Sequence, residues 1–335
     1  MRRNSKIKAW IATAGGACLI AAAVTFVPHA RAQQDFSKVE IRVIPIRENM
    51  YMFAGAGGNT TVQIGKDGVL LVDTQFAPMA PKILAELKKL TDKPIRMIIN
   101  THVHGDHVGG NEALANAGQR ISGGNENEDF GEGSGRASIL AHQNVLNLMS
   151  ATPTGKPGDR AMKSGFWPTD TFIEERKKVF FNGEGLEVLH IPSAHSSSDS
   201  IVFFRRSDVI SAGDIFAINR YPVYDIEGGG SIQGMLAGLN RILSMAIPAE
   251  KEEGGTYIVP GHGRLCDLAD LAEYRDMTTI IRDRIQDMIN KGMTLEQVKA
   301  ARPTLDYDPL YGAQTGLGST DNFVTQVYTS LSRKK

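Results

Sequence analysis

Short apolar runs broken by turn residues dominate the chain from residue 39 to residue 72. Val39–Ile46, Met50–Ala54, Thr60–Ile64 and Val69–Val72 are separated by Arg47-Glu48-Asn49, residues 55–59 and Gly65-Lys66-Asp67-Gly68. That rhythm predicts a β-meander. The period then changes: Ile83, Leu84, Leu87 and Leu90 recur at helical spacing within Pro81–Leu90. Met97-Ile98-Ile99-Asn100 has strand character, and Ala137–Met149 reads as a helix. Val179–Phe181, Leu186–Ile191, Ile201–Phe204 and Val209–Ile210 read as strands of a second sheet, and Ile232–Met245 as a helix. Beyond residue 262 the pattern is helical over Asp267–Lys291, Leu295–Arg302 and Asp321–Ser332, with Thr294 as a cap before Leu295-Glu296-Gln297. Strands alternating with helices predict an α/β fold.

Three stretches fall outside this pattern. Residues 1–32 carry Arg2, Arg3, Lys6 and Lys8, then an apolar or small run from Ala9 to Val27, then Ala30-Arg31-Ala32. A basic segment, an apolar segment and an A-x-A site make a cleaved secretory signal peptide, so the expected location is periplasmic or secreted, with no stable membrane insertion after cleavage. Residues 122–136 place glycines among acids and Asn without a following Gly-Lys-[Ser/Thr], which excludes a phosphate-binding P-loop. Residues 153–168 form another irregular stretch, in which Lys156 and Lys163 read as solvated charge.

Composition narrows the function classes. Removing residues 1–32 takes five of the 37 basic side chains and none of the 37 acidic ones, leaving 32 against 37 and a net charge of −5. Such a balance is not the basic footprint of a nucleic-acid binder. Cys266 is then the sole cysteine, so no intramolecular disulfide forms and stability rests on a hydrophobic core.

The chemistry concentrates in Thr101-His102-Val103-His104-Gly105-Asp106-His107, a loop leaving the Met97–Asn100 strand. In extended backbone residues two apart share a side, so His102 and His104 can grip one metal. Asp106 and His107 follow a glycine turn and are placed to reach a second. A zincin needs two His at helical spacing, which is a different geometry. Further metal-grade residues sit at strand ends: His195 in Pro192-Ser193-Ala194-His195, Asp214 at the end of Val209–Asp214, and His262 in Tyr257–Gly263. Imidazole and carboxylate at this density build transition-metal sites. The isolated His142 and His190 read as packing residues. Ser196, Ser197 and Ser198 read as a turn, because a metal-bound His195 cannot serve as the base of a serine triad. Tyr221 and Tyr224 are candidate pocket residues that core packing explains equally well.

His-x-His-x-Asp-His, a distant His, an Asp after Gly, a Gly-His pair and Val72-Asp73-Thr74 together resemble the metallo-β-lactamase superfamily over roughly residues 41–265. The resemblance implies a four-layer αββα sandwich with the metal site along one edge, spanning residues 33–265. Residues 266–335 would then be a C-terminal helical extension packed on the same domain. It implies that His102, His104 and His195 bind one metal and Asp106, His107 and His262 the other, with Asp214 between them and Asp73 orienting the loop from behind. Asp at position 214 is similar to glyoxalase II, whereas lactamases proper carry Cys or Ser there.

The expected function is a binuclear hydrolase in which a metal-bridging hydroxide cleaves a lactam, lactone, ester or thioester, with Asp106 also taking a proton. Two zinc ions are the default cofactors, since the donors are His and carboxylate and no redox step is needed; iron and manganese accept the same donors. The alternative is a mononuclear iron sulfur-dioxygenase-type oxidoreductase of the same fold. The expected partner is a small-molecule substrate and not nucleic acid; neither the substrate's identity nor the oligomeric state is legible.

Overall fold

The computed structural model describes residues 35–120, 135–154, 159–251 and 254–333. The sequence readings of residues 1–32, of most of 122–136 and of Lys156 lie outside the described residues. One sheet runs in chain order: β1 (Arg42–Arg47), β2 (Met50–Ala54), β3 (Thr60–Gly65), β4 (Gly68–Val72), β5 (Ile95–Ile99), β6 (Ser138–His142) and β7 (Asp170–Phe172). The second contains β8 (Arg176–Phe181), β9 (Glu184–His190), β10 (Ser200–Phe204), β11 (Val209–Ala217) and β12 (Tyr257–His262), in the order β12-β11-β10-β9-β8. Pairing is antiparallel from β1 to β4 and parallel from β4 to β7. It is antiparallel from β8 to β11, and β12 joins β11 in parallel. β4, Gly-Val-Leu-Leu-Val, is buried throughout, as a strand covered on both faces must be.

Three apolar layers separate four layers of structure. Met52, Leu70, Val72 and Ile99 of the first sheet meet Leu186, Val188, Val202 and Val259 of the second. The helices are α1 (Ala80–Leu90), α2 (Gly105–Val108), α3 (Asn111–Asn116), α4 (Gln143–Met149), α5 (Ile232–Met245), α6 (Leu268–Asn290), α7 (Leu295–Ala300), α8 (Asp308–Tyr311) and α9 (Thr320–Ser332). Ile83 and Leu87 of α1 and Leu114 of α3 cover Phe53, Val62 and Ile98 on the outer face of the first sheet. α5, α6 and α9 cover the second sheet through Leu239, Ile281 and Phe323, packed with Ile210 and Ile258. Burying each such side chain contributes about 1.5–3 kcal/mol. The result is an αββα sandwich of two mixed sheets. α6 starts in a capping box between Asp267 and Asp270, and α7 in one between Thr294 and Gln297.

Three boundaries differ from the sequence reading. Ala137–Met149 is not one helix but strand β6 followed by α4, with His142 as the cap whose Nδ1 accepts from Asn144 N–H. Residues 101–107 are not all loop, because Gly105–Val108 makes one helical turn. Asp214 does not end its strand: β11 continues to Ala217, with irregular register around Gly213. Gly213 has φ +53°, and a Cβ there would lie 2.7 Å from Thr101 Oγ1. This bulge turns the carboxylate of Asp214 to the sheet edge, a use of bulges common beside active sites.

Candidate metal centre

Strand ends of both sheets deliver the predicted residues to one edge of the sandwich. His102, His104, Asp106 and His107 lie just after β5, His195 between β9 and β10, Asp214 within β11 and His262 at the end of β12. Their donor atoms form three overlapping groups, each with all atoms within 4.8 Å of one another: His102, His104 and His195; His102, His107 and Asp214; Asp106, His107 and His262. All seven come together, and Asp214 shares a group with one histidine from each of the other two.

The hydrogen-bond network fixes which ring nitrogens face inward. Asp73 accepts from Thr101 N–H at 2.8 Å and from the Thr101 hydroxyl at 2.6 Å. The hydroxyl proton is thus committed, so Thr101 Oγ1 accepts from His102 Nδ1–H at 3.0 Å. His102 Nε2 is left buried without a partner. His195 Nδ1–H donates to Val223 O at 2.7 Å, and His104 Nε2–H to Asp225 Oδ2 at 3.0 Å. The remaining atoms, His195 Nε2 and His104 Nδ1, face each other at 2.8 Å with lone pairs only. Three imidazole lone pairs meeting at one point repel one another unless a cation sits among them. The donor set fits a metal.

The other half of the centre is built on charge. His107 Nδ1–H donates to Asp73 Oδ2 at 2.7 Å. His107 Nε2 then lies 3.2 Å from Asp214 Oδ1 and 3.4 Å from His262 Nε2, and His262 Nε2 lies 3.3 Å from both Asp106 Oδ2 and Asp214 Oδ1. Asp73 holds a left-handed conformation at φ 63°, which a short polar residue tolerates better than most. From there it grips both the loop backbone and His107.

Electrostatics separate the halves. Burial holds His102 well below the usual histidine range, helped by repulsion from His107, His104 and His195. Burial likewise brings His195 down to about 4. For His107 burial acts the same way, yet Asp214, Asp73 and Asp106 overcome it and hold the ring well above its ordinary value. His262 is raised against burial by Asp214 and Asp106. Asp214 and Asp106 are lowered, their burial outweighed by these two rings.

A profile of the metallo-beta-lactamase superfamily matches residues 54–262, which contain every one of these side chains. The chain belongs to that superfamily. Among curated proteins, the superfamily member described here is 23% identical over 295 residues to a linear primary-alkylsulfatase of Pseudomonas sp. (strain ATCC 19151), covering 78% of this chain. It spans about half the length of that relative, 53%. Among solved structures, the DIM-1 metallo-beta-lactamase matches with a TM-score of 0.52 at 17% identity, over 72% of this chain and 99% of the lactamase. The stereoselective inverting sec-alkylsulfatase Pisa1 from Pseudomonas sp. matches with a TM-score of 0.59 at 18% identity, over 86% of this chain and 50% of that one. These likenesses establish the fold, and the His/Asp groups place a set of metal-grade donors at one edge of it.

Other candidates of the sequence fall elsewhere. Tyr221 and Tyr224 do not line a pocket: Tyr221 stacks on Phe323 with centroids 4.5 Å apart and donates to Asp308 at 2.9 Å, and Tyr224 is fully buried. They join the loop after β11 to α8 and α9. His142 and His190 stack on each other at 3.6 Å and 4°, and Ser196 Oγ donates to Asp199 and meets Ser198 Oγ. Three residues escaped the sequence reading: Asp225, behind His104; Arg160, ion-paired to Asp225; and Arg220, whose Nη2 lies 3.4 Å from Asp214 Oδ2.

Proposed function

We propose that the protein is an exported binuclear zinc hydrolase that opens a lactam, lactone, ester or thioester bond in a small molecule. The observation that carries this reading is the convergence of the unprotonated nitrogens of His102, His104 and His195 beside a second group rich in carboxylates, with Asp214 common to both. A pair of bound cations supplies a water whose pKa falls towards ~7 and a Lewis acid for the scissile group. The chain's own residues do the rest. His102, His104 and His195 would hold one cation and Asp106, His107 and His262 the other, with Asp214 lying between the two groups. Val223 O, Asp225, Thr101 and Asp73 fix the ring orientations, and the Asp106 carboxylate accepts the proton released in the reaction. A complete second group supports two metals over the single iron of the dioxygenase alternative. Residues 1–32 support export to the periplasm or beyond, and among the described residues no helix is long and apolar enough to cross a membrane.

A second reading, cleavage of a sulfate ester, is favoured by Arg220. Its side chain is about one-third exposed at the edge of the centre, its contact to Asp214 is long at 3.4 Å, and its buried Nε has no partner among the described residues. Spare donors at this place suit an anionic substrate group. The alkylsulfatase likeness, which takes in more of the chain than the lactamase likeness, points the same way. The test is elemental analysis of protein purified without added metal, with turnover of a chromogenic cephalosporin, a lactone and an alkyl sulfate on the same sample. About two zinc per chain with turnover of any of these supports the proposal, and the substrate that turns over selects between its two readings. One iron per chain, with oxygen uptake on a persulfide and no hydrolysis, overturns it. Stripping the metal should lower Tm, since a ligand at 100 times its Kd stabilises the folded state by about 2.7 kcal/mol.

A further inference from the structure

His104 and His195 share one support. Val223 O accepts from His195 Nδ1–H and Asp225 Oδ2 from His104 Nε2–H, so a three-residue span orients two of the three rings of the first group. The backbone of Asp225 also donates to His195 O at 2.7 Å. Asp225 itself is fixed from two sides. Gly228 N–H donates to its Oδ1 at 2.8 Å, and the Arg160 guanidinium pairs with its Oδ2. The fit leaves no spare room: a Cβ on Gly228 would lie 2.2 Å from Asp225 Oδ2 and 3.0 Å from Arg160 Nη2. Both partners of the ion pair are largely shielded, at 19% and 11% exposure. A shielded pair of opposite charges is screened far less than a surface one.

Arg160 belongs to the segment that the sequence left unread. That segment is braced internally by Trp167 Nε1–H to Met162 O at 2.8 Å, and it is anchored by Met162 N–H to Met149 O and by Asn111 Nδ2–H to Phe166 O, both at 2.9 Å. Met162 and Trp167 pack on Val103, the residue between His102 and His104, together with Val108 and Val145. The segment therefore touches the first group twice, by packing beneath the histidine loop and by charge behind His104.

Resting on the metallo-hydrolase reading, we infer that Arg160 is a positioning residue for the first metal: by pinning Asp225 it fixes the ring of His104 and so sets the affinity of that half of the centre alone. Without Arg160 the Asp225 carboxylate loses its counter-charge in a shielded place and can turn towards solvent, and His104 loses its orienting acceptor. Residues standing behind a metal ligand in this way typically control affinity by 10–100-fold.

The experiment is zinc titration of the full chain against a chromophoric chelator, for the wild type, Arg160→Met, Arg160→Lys, Asp225→Asn and the Arg160→Met/Asp225→Asn double variant, with Tm of each metal-free protein. Arg160→Met is expected to weaken one of the two zinc dissociation constants by about 10-fold and to leave the other unchanged. Arg160→Lys should recover part of the loss. The double variant should lose no more than Asp225→Asn alone, because Arg160 acts through that carboxylate. Unchanged zinc affinities in Arg160→Met overturn the proposal alone. Equal weakening of both sites together with a lower metal-free Tm also overturns it, as a general structural role. A wild type that binds no zinc overturns the metallo-hydrolase reading and this inference with it.

Discussion

The two halves of the metal centre solve the same problem by opposite means. In the first, His102, His104 and His195 converge through lone pairs, and burial keeps His102 and His195 uncharged. In the second, Asp214 and Asp106, with Asp73 behind His107, raise His107 well above its ordinary value and raise His262 as well, both against burial. The first half is ready for a cation at neutral pH but offers no negative charge of its own. The second offers carboxylates, whose burial without a counter-ion would cost several kcal/mol each, and the neighbouring rings of His107 and His262 offset part of that cost. The supports differ in kind too. Asp73 follows β4 directly in the packed interior, whereas Asp225 sits in a loop and needs Arg160. Asp214 reaches both halves and is the one carboxylate whose loss should be felt by both.

Removing that shared residue gives the largest expected effect. Asp214→Ala should cut kcat/KM by more than about 100-fold, beyond the range seen for residues that only support a ligand. It should also reduce bound zinc from two to at most one. Retention of two zinc with near-normal turnover would show that the halves do not depend on Asp214. Asp73→Asn comes next. It removes the charge behind His107 and Thr101, so the second half, whose His107 it holds directly, should lose about 10–100-fold in zinc affinity, and the first, reached only through Thr101 and His102, should lose less. Loss confined to the first half would reverse the assignment. A subtler effect follows from the protons on His107 and His262. Raised pKa values mean that zinc displaces more protons from this half than from the first, so calorimetric titration in buffers of different ionisation enthalpy should show proton release on binding there. The release should come with the second half and vanish as pH rises above the raised pKa values. Proton-neutral binding of both ions at pH 7 would remove the distinction between the halves.

How much of this was legible in the sequence depends on where each interaction sits. The seven candidate ligands were readable because each is a metal-grade side chain placed at a strand end or beside a glycine. Runs such as Val69–Val72 gave the strands, and the sandwich came from the resemblance that the motif order carries. His142 shows why boundaries were harder. Ile139-Leu140-Ala141 is a buried parallel strand running straight into a helix, and a short apolar run does not distinguish strand from helix. Gly213 looked like a stop and proved to be a bulge inside β11. The supports were invisible for a different reason. Asp225 lies 121 positions from His104, and Arg160 lies 65 from Asp225, so nothing local marks them as partners. Tyr221 and Tyr224 stayed undecided because an aromatic beside a candidate site has the same local pattern whether it lines a cleft or packs on α9.

The stacked pair His142 and His190 provides the smallest and cleanest contrast with the first half of the centre. Burial lowers His142 to about 4, as it does His195, with His190 adding to the effect, and burial lowers His190 as well. Their nitrogens, however, do not converge on a point: His142 Nδ1 takes Asn144 N–H, and His190 Nδ1–H donates to Asp199 O at 2.9 Å. A depressed pKa alone therefore does not make a metal site; the direction of the lone pairs does. The pair should still leave a signature in stability. Its folded pKa values lie below the unfolded 6.5, so between these limits the unfolded chain binds more protons than the folded one. The stability is fully present above pH ~6.5 and is lost as pH falls towards and through the folded values, with a slope of at most about 1.4 kcal/mol per pH unit for each ring. Zinc should not remove this slope, because neither ring is a ligand. Denaturant unfolding of the zinc-loaded protein between pH 7 and pH 4 measures it, and His142→Gln should flatten it. An unchanged slope in that variant would assign the acid sensitivity to the metal centre instead.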